Sequence, residues 1–158
     1  MNGKDLLLYE SGNGGEIIIQ NNDLILTDQI LQQAYLCLFG GNVEASTRGD
    51  ELPNEIRKDW WGNSLFYGDV KSKQFNSQTE KALMDNPLTS SGRVSIIRSV
   101  ESDLKYLKNV SNVEVNAFLL SVNKMKIEIK LSMPTTKTVT IELLWDSVKK
   151  EVIIENTI

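Results

Sequence analysis

The feature that most constrains this chain is a strict alternation of apolar and polar residues over 124–133. Its apolar positions are Met125, Ile127, Ile129, Leu131 and Met133. Successive side chains of a β-strand point to opposite faces of the sheet, so a period of two predicts a strand with one buried face. The same period recurs over 113–119 and 139–145, and a last short strand is predicted over 151–155. Together these segments predict a C-terminal antiparallel sheet.

The N-terminal residues predict a small β-meander. Strands are expected over 5–10, 16–20 and 23–26. Asn21-Asn22 lies between the second and third strands, where two residues that tolerate positive φ favour a tight hairpin turn.

One helix is predicted to follow the meander. Thr27 is expected to cap it, because a threonine oxygen can accept a hydrogen bond from the first helical turn. Gly40-Gly41 is expected to end it. Its apolar face comprises Ile30, Leu31, Ala34, Tyr35 and Leu38. Cys37 lies in the same pattern and is predicted to be a buried, unreactive thiol.

Two more helices are predicted after a long irregular arm at 42–76. Ser77-Gln78-Thr79-Glu80 has the pattern of a capping box, which predicts a short helix that stops near Asn86-Pro87. A longer helix is predicted over 92–108. The expected architecture is therefore α+β: a β-meander, one helix, the arm, two helices and an antiparallel sheet, in a single domain over 1–158.

Composition excludes several kinds of site. The chain has no histidine, so a Ser-His-Asp triad and a histidine-ligated zinc are impossible. A single cysteine excludes an intrachain disulfide. The net charge of −4 and the lack of a long basic block argue against a nucleic-acid partner. We expect no cofactor, no metal and no membrane partner, and synthesis in a cytoplasm.

Acidic residues in the arm leave one enzymatic alternative open. These are Glu51, Glu55, Asp59 and Asp69. Two carboxylates at a suitable separation can hydrolyse a glycosidic bond, so a lysozyme-like glycan hydrolase is the alternative function. Carboxylates on a polar loop are usually solvated charge, and we expect the protein not to be an enzyme.

The adjacent tryptophans Trp60 and Trp61 are the most distinctive element of the arm. Paired indoles bring a large apolar area to one place. Either the pair anchors the arm to the core of its own chain, or at least one indole contacts another protein, where tryptophan is enriched. The sequence leaves both interpretations open.

A resemblance to a known family rests on three segments. They are Asp23-Leu24-Ile25-Leu26-Thr27, Leu36-Cys37-Leu38-Phe39 and Arg57-Lys58-Asp59-Trp60-Trp61-Gly62-Asn63. In this order they resemble the small baseplate proteins of Mu-like contractile-tailed phages, which are similar to the sheath-initiating wedge proteins of larger contractile phages. The resemblance is dense over about residues 16–66. Asn63 departs from the acidic residue that the Mu-type pattern prefers, and 111–115 lacks the Glu-Pro-Arg triplet of the larger relatives.

The resemblance implies a virion structural protein of the tail baseplate, in a phage, a prophage or a bacteriocin. Its partners would be other wedge proteins and the tail sheath and tube proteins, in multiple copies of a six-fold assembly. Assembly would take place in the host cytoplasm. A general adaptor outside tails is a further alternative. The interface candidates are Arg57, Trp60, Trp61, Gly62, Asn63, Ile127, Ile129, Val139 and Ile141.

Overall fold

The computed structural model of the protein describes residues 3–10, 15–40, 65, 67–68, 70, 77–134 and 138–157. It is an α+β structure, as predicted, whose chain divides into two compact units, Met1–Ser77 and Gln78–Ile158. The single domain over 1–158 stays a prediction. The arm predicted over 42–76 lies outside the described residues apart from 65, 67–68 and 70.

Six short strands form the N-terminal meander in three antiparallel pairs. They are β1 (Lys4–Leu6), β2 (Leu8–Glu10), β3 (Gly15–Ile17), β4 (Ile19–Gln20), β5 (Asp23–Leu24) and β6 (Leu26–Asp28). β1 pairs with β6, β2 with β3, and β4 with β5. Each of the three predicted strands is interrupted where its pairing partner changes. At these breaks the amide of Leu7 donates to the carbonyl of Ile25 over 2.9 Å, and the amide of Ile25 donates to that of Ile18 over 3.1 Å.

The predicted hairpin turn at Asn21-Asn22 is confirmed. Both residues have positive φ, 55° and 61°, as a type I′ turn requires. Asparagine tolerates this left-handed region better than other residues with a side chain. The turn sets the register in which Ile19 lies opposite Leu24.

Helix α1 (Gln29–Phe39) follows the meander directly. The cap predicted at Thr27 is wrong, because Thr27 belongs to β6 and pairs with Asp5. Asp28 precedes the helix, but its carboxylate forms an ion pair with Lys4 Nζ at 2.5 Å and does not cap. The buried apolar residues of α1 are Ala34, Cys37, Leu38 and Phe39. Burial of the Cys37 side chain agrees with its position in the apolar pattern.

The C-terminal unit begins with α2 (Thr79–Asp85) and α3 (Ser90–Asp103), and a 3₁₀ helix (Leu104–Asn109) continues α3. α3 starts two residues before the predicted boundary, because the hydroxyl of Thr89 accepts from the amide of Gly92 at 3.2 Å. Gly92 is buried, and a Cβ there would overlap the carbonyl oxygen of Pro87. Glycine is therefore required where the chain turns into α3.

The capping box predicted at Ser77 is wrong. The Ser77 hydroxyl donates to the carbonyl oxygen of Leu38, and α2 receives its cap from Asp103 at the end of α3. The Asp103 carboxylate accepts from the amides of Gln78 and Thr79 at 2.8 and 2.7 Å, and from the Thr79 hydroxyl at 2.6 Å. The first backbone N–H groups of α2 have no acceptor within the helix. A tertiary contact satisfies them, where a local side chain was expected to do so.

The predicted C-terminal sheet is confirmed. Its strands are β7 (Asn112–Leu119), β8 (Lys124–Ser132), β9 (Val139–Asp146) and β10 (Glu151–Thr157), in the order β10-β9-β8-β7. All neighbours are antiparallel, and the register places Ile129 opposite both Val115 and Ile141. The sheet is therefore a four-stranded meander in which each strand pairs with its neighbour in sequence.

The core of this unit lies between one face of the sheet and the helices. Its sheet side chains are Ala117, Met125, Ile127, Ile129, Leu131, Val139, Ile141, Leu143 and Trp145. Helix α3 and the 3₁₀ helix contact β7 and contribute Ile96, Val100, Leu104 and Leu107, which are fully buried. The period of two in the strands thus gives a sheet with one buried and one solvated face.

Candidate interaction surface

Four of the predicted interface residues lie in the core of the sheet. Ile127, Ile129, Val139 and Ile141 are buried on the face that meets the helices. Their strands, β8 and β9, are both interior strands of the sheet, so neither has a free edge. These four side chains therefore pack within the chain, and a partner strand can pair only with β7 or β10.

The other predicted interface residues lie outside the described residues. They are Arg57, Trp60, Trp61, Gly62 and Asn63. The same holds for the carboxylates of the enzymatic alternative, Glu51, Glu55, Asp59 and Asp69.

The two edge strands of the sheet differ in their surroundings. β7 is contacted by α3 and the 3₁₀ helix, and Arg93 Nη1 of α3 donates to the carbonyl oxygen of Ala117 at 3.2 Å. β10 pairs with β9 along one edge over Glu151–Thr157, and no other strand in the described part of the chain pairs with its second edge. A free edge presents unpaired backbone donors and acceptors. We therefore take β10 as the candidate edge for the addition of a strand.

The solvated face of the sheet is covered by ion pairs. Lys126 Nζ lies 2.7 Å from Glu142 Oε1, Lys130 Nζ lies 3.1 Å from Glu128 Oε1, and a third pair joins Lys124 and Asp146 at 3.7 Å. Glu128 and Glu142 are directly opposite each other, and like charges at such positions are unfavourable. The neighbouring lysines offset this repulsion, so we assign this face to solvent.

Two loops meet at one end of the sheet. The amide and the hydroxyl of Ser147 both donate to the carbonyl oxygen of Asn123, at 2.9 and 3.2 Å. Asp146 Oδ1 accepts from the amides of Val148 and Lys149 at 3.0 and 3.1 Å. The hydrogen bond from the Lys149 amide is the main reason that the pKa of the Asp146 carboxyl is below its ordinary value of 3.8. These contacts hold the loop between β9 and β10 in one conformation.

These loops expose apolar side chains as well as polar ones. Val122 is 86% exposed and Val148 is 70% exposed, and Leu119 and Leu120 are exposed beside Val122 in sequence. We call these four residues the apolar end. Exposed apolar groups that lie together on a folded domain often mark an interaction site. Sequence reasoning missed this surface, although Val122 and Val148, two apolar residues between predicted strands, were its signal.

The described residues give little support for a metal site, for a cavity lined by carboxylates or for a membrane-spanning helix. No group of three or more Cys, Asp or Glu side chains among them is arranged to hold a metal ion. An open cavity of about 660 Å³ lies beside the 3₁₀ helix, with Lys108, Ser111 and Met133 in its lining. The residues lining it include no carboxylate. None of the described helices has the length and apolar character needed to cross a bilayer.

Comparison with protein-family models, with curated proteins and with solved structures finds no match for this chain.

Proposed function

We propose that this protein is a structural component of a contractile phage tail baseplate, where it holds wedge subunits and helps to initiate sheath assembly. The observation that carries the proposal is the free edge of β10, at one side of a regular four-stranded meander. The resemblance over residues 16–66 supplies the biological setting. No catalytic step is part of this function.

Strand addition is the physical mechanism. A partner strand that aligns with β10 forms main-chain hydrogen bonds with the groups that β9 leaves unpaired. The edge is seven residues long, which exceeds the usual strand length of about five to six residues. Strand pairing depends little on side-chain identity, so β10 suits an extended segment of a sheath, tube or wedge protein.

The position of β10 favours the addition of a partner strand. Helix α3 and the 3₁₀ helix contact β7, at the opposite side of the sheet, and a turn held by Asp146 leads directly into β10. A rigid turn fixes the direction of the strand that follows and lowers the entropy lost on binding. The partners that we propose are wedge, sheath and tube proteins.

The edge is tested with a charged substitution at Ile153. This side chain is 47% exposed, and a lysine on an edge strand opposes the addition of another strand. We expect Ile153→Lys to weaken binding to the sheath or wedge proteins of the same genome about tenfold or more. The measurement is co-purification followed by titration calorimetry.

Val110→Lys is the matched control, because Val110 is 50% exposed but follows the 3₁₀ helix, away from β10 in the chain. It should bind as the unchanged protein does. Wild-type binding by Ile153→Lys would reject the edge as the binding site. Absence of the protein from purified tails, by electron microscopy with a specific antibody, would reject the baseplate function itself.

The tryptophan pair provides a second test. If Trp61 contacts another baseplate protein, Trp61→Ala should keep the circular dichroism spectrum of the folded chain but no longer join baseplate wedges. The measurement is assembly of wedges from purified subunits, followed by sedimentation. Loss of the folded spectrum would place the indole in the core of its own chain instead.

A further inference from the structure

The apolar end of the C-terminal unit carries slightly more positive than negative charge. Lys124, Lys149 and Lys150 lie in or beside its two loops, and Asp146 and Glu151 flank the second loop. Lys124 pairs with Asp146, whereas Lys149 and Lys150 form no ion pair with the described part of the chain. Three lysines and two carboxylates give this apolar end a small excess of positive charge, in a chain whose net charge is −4.

The N-terminal unit carries a surface of the opposite character. Ile17, Ile19, Leu24 and Leu26 are exposed on and beside the hairpin that turns at Asn21-Asn22, and Ile19 reaches 68% exposure. We call these four residues the hairpin surface. Ile19 and Leu24 are directly opposite each other, so their side chains share one face. Ile19 and Leu24 thus form an exposed apolar pair beside the turn.

Negative charge accompanies the hairpin surface. Asp23 is exposed beside Leu24, and no lysine or arginine occurs between Lys4 and Arg48. The nearby Lys4 is already paired with Asp28. The hairpin surface is therefore apolar with the carboxylate of Asp23 beside it, whereas the apolar end carries a small excess of positive charge.

We infer that the apolar end of one copy binds the hairpin surface of a second copy, so that the chain associates head to tail. Aliphatic side chains on both sides lose contact with water, and Lys149 and Lys150 meet the acidic hairpin around Asp23. Two different surfaces make this a heterologous contact, in which each copy can bind one neighbour at each of its two surfaces. The inference goes beyond the baseplate proposal, because it requires only copies of this chain.

The contact has a weak intrinsic affinity. Four aliphatic side chains on each partner bury less surface than a standard stable interface, which covers about 1,600 Å² in total. Association should therefore depend on concentration and appear at about 100 µM in sedimentation velocity. It strengthens where another structure holds several copies close together.

The test uses two variants of the full chain, each with one surface altered. Val122→Ser with Val148→Ser alters the apolar end, and Ile19→Ser with Leu24→Ser alters the hairpin surface. Each double variant should remain folded, because its changed side chains are exposed, and should lose about 90% or more of its self-association. Val110→Ser, also at an exposed valine, should associate as the unchanged chain does.

A mixture of the two double variants tests whether the contact is head to tail. Each variant keeps the surface that the other lacks, so an equal mixture should form a one-to-one dimer and nothing larger. A mixture that stays monomeric would overturn the head-to-tail contact, as would a monomeric wild-type chain at all concentrations. Wild-type association by either folded double variant alone would also overturn it.

Charge reversal tests the complementarity separately. Asp23→Lys should weaken association, and so should Lys149→Glu combined with Lys150→Glu. All three changes in one chain restore opposite charges across the contact and should recover most of the association. Failure of the triple variant to recover, with an unchanged circular dichroism spectrum, would reject the pairing of these two surfaces.

Discussion

Trp145→Ala is expected to lower the free energy of unfolding of the C-terminal unit by about 3–5 kcal/mol. Trp145 lies on the buried face of β9, where its cross-strand neighbours are Met125 on β8 and Val152 on β10. Removing the indole takes away the largest side chain of the sheet core and leaves a cavity that the surrounding strands cannot fill completely. Urea unfolding followed by circular dichroism measures the loss.

Trp145→Phe separates packing from hydrogen bonding at the same position. The indole Nε1 is buried and has no hydrogen-bond acceptor among the described residues. A phenyl ring keeps most of the packing and removes an unsatisfied donor, so the net change should stay within about 1 kcal/mol. If Trp145→Phe destabilised the unit as strongly as Trp145→Ala, the indole N–H would have a native acceptor.

Asp103→Ala is expected to lower the free energy of unfolding by about 2–3 kcal/mol. The Asp103 carboxylate accepts hydrogen bonds from the amides of Gln78 and Thr79 and from the Thr79 hydroxyl at the start of α2, over distances of 2.6 to 3.0 Å. Thr79 is fully buried, so its amide and hydroxyl would lose their acceptor without gaining water. Protection of the α2 amides against hydrogen exchange should fall along with the stability.

Two substitutions complete the Asp103 test. Asp103→Asn keeps one acceptor oxygen and should lose less stability than Asp103→Ala. Glu101→Ala changes an exposed acidic residue on the same helix and should alter the stability by about 0.5 kcal/mol or less. Equal effects of Asp103→Ala and Glu101→Ala would mean that the carboxylate does not hold the start of α2.

The local sequence pattern predicted strands and turns of this fold well, because these elements depend mainly on residues that are neighbours in the chain. Alternation over 124–133 predicted β8 to within one residue at its C-terminal end. The type I′ turn followed from two adjacent asparagines. Both features arise within a few residues of chain, where the preferences of each side chain act directly on its own backbone.

Contacts between distant residues account for the predictions that failed. The capping box at Ser77 met every local requirement, yet Asp103, more than twenty residues away, supplies the cap. The cap expected at Thr27 gave way because Thr27 pairs with Asp5 in a strand. Local propensity is a weak preference, and tertiary hydrogen bonds override it.

The choice of a candidate interaction surface also depended on contacts between residues far apart in the chain. The interface candidates from the sequence were residues 57 and 60–63 of the arm together with Ile127, Ile129, Val139 and Ile141 in strands 124–133 and 139–145, and the sequence left open which sheet edge is free. The clearest alternation marks the best-buried strands, so it selected the interior of the sheet. The edge that we propose for strand addition is β10, whose sequence pattern is shorter and less regular.

The sequence alone determined the order of the elements, the two faces of each long strand and the tight hairpin at Asn21-Asn22. Only the tertiary structure decided which strand lies at the free edge, which carboxylate caps α2 and which loops meet to expose Val122 and Val148. The physical reason is the distance along the chain over which each kind of interaction acts. Backbone preferences act over a few bonds, whereas edges, caps and surfaces arise when residues far apart in the chain come into contact.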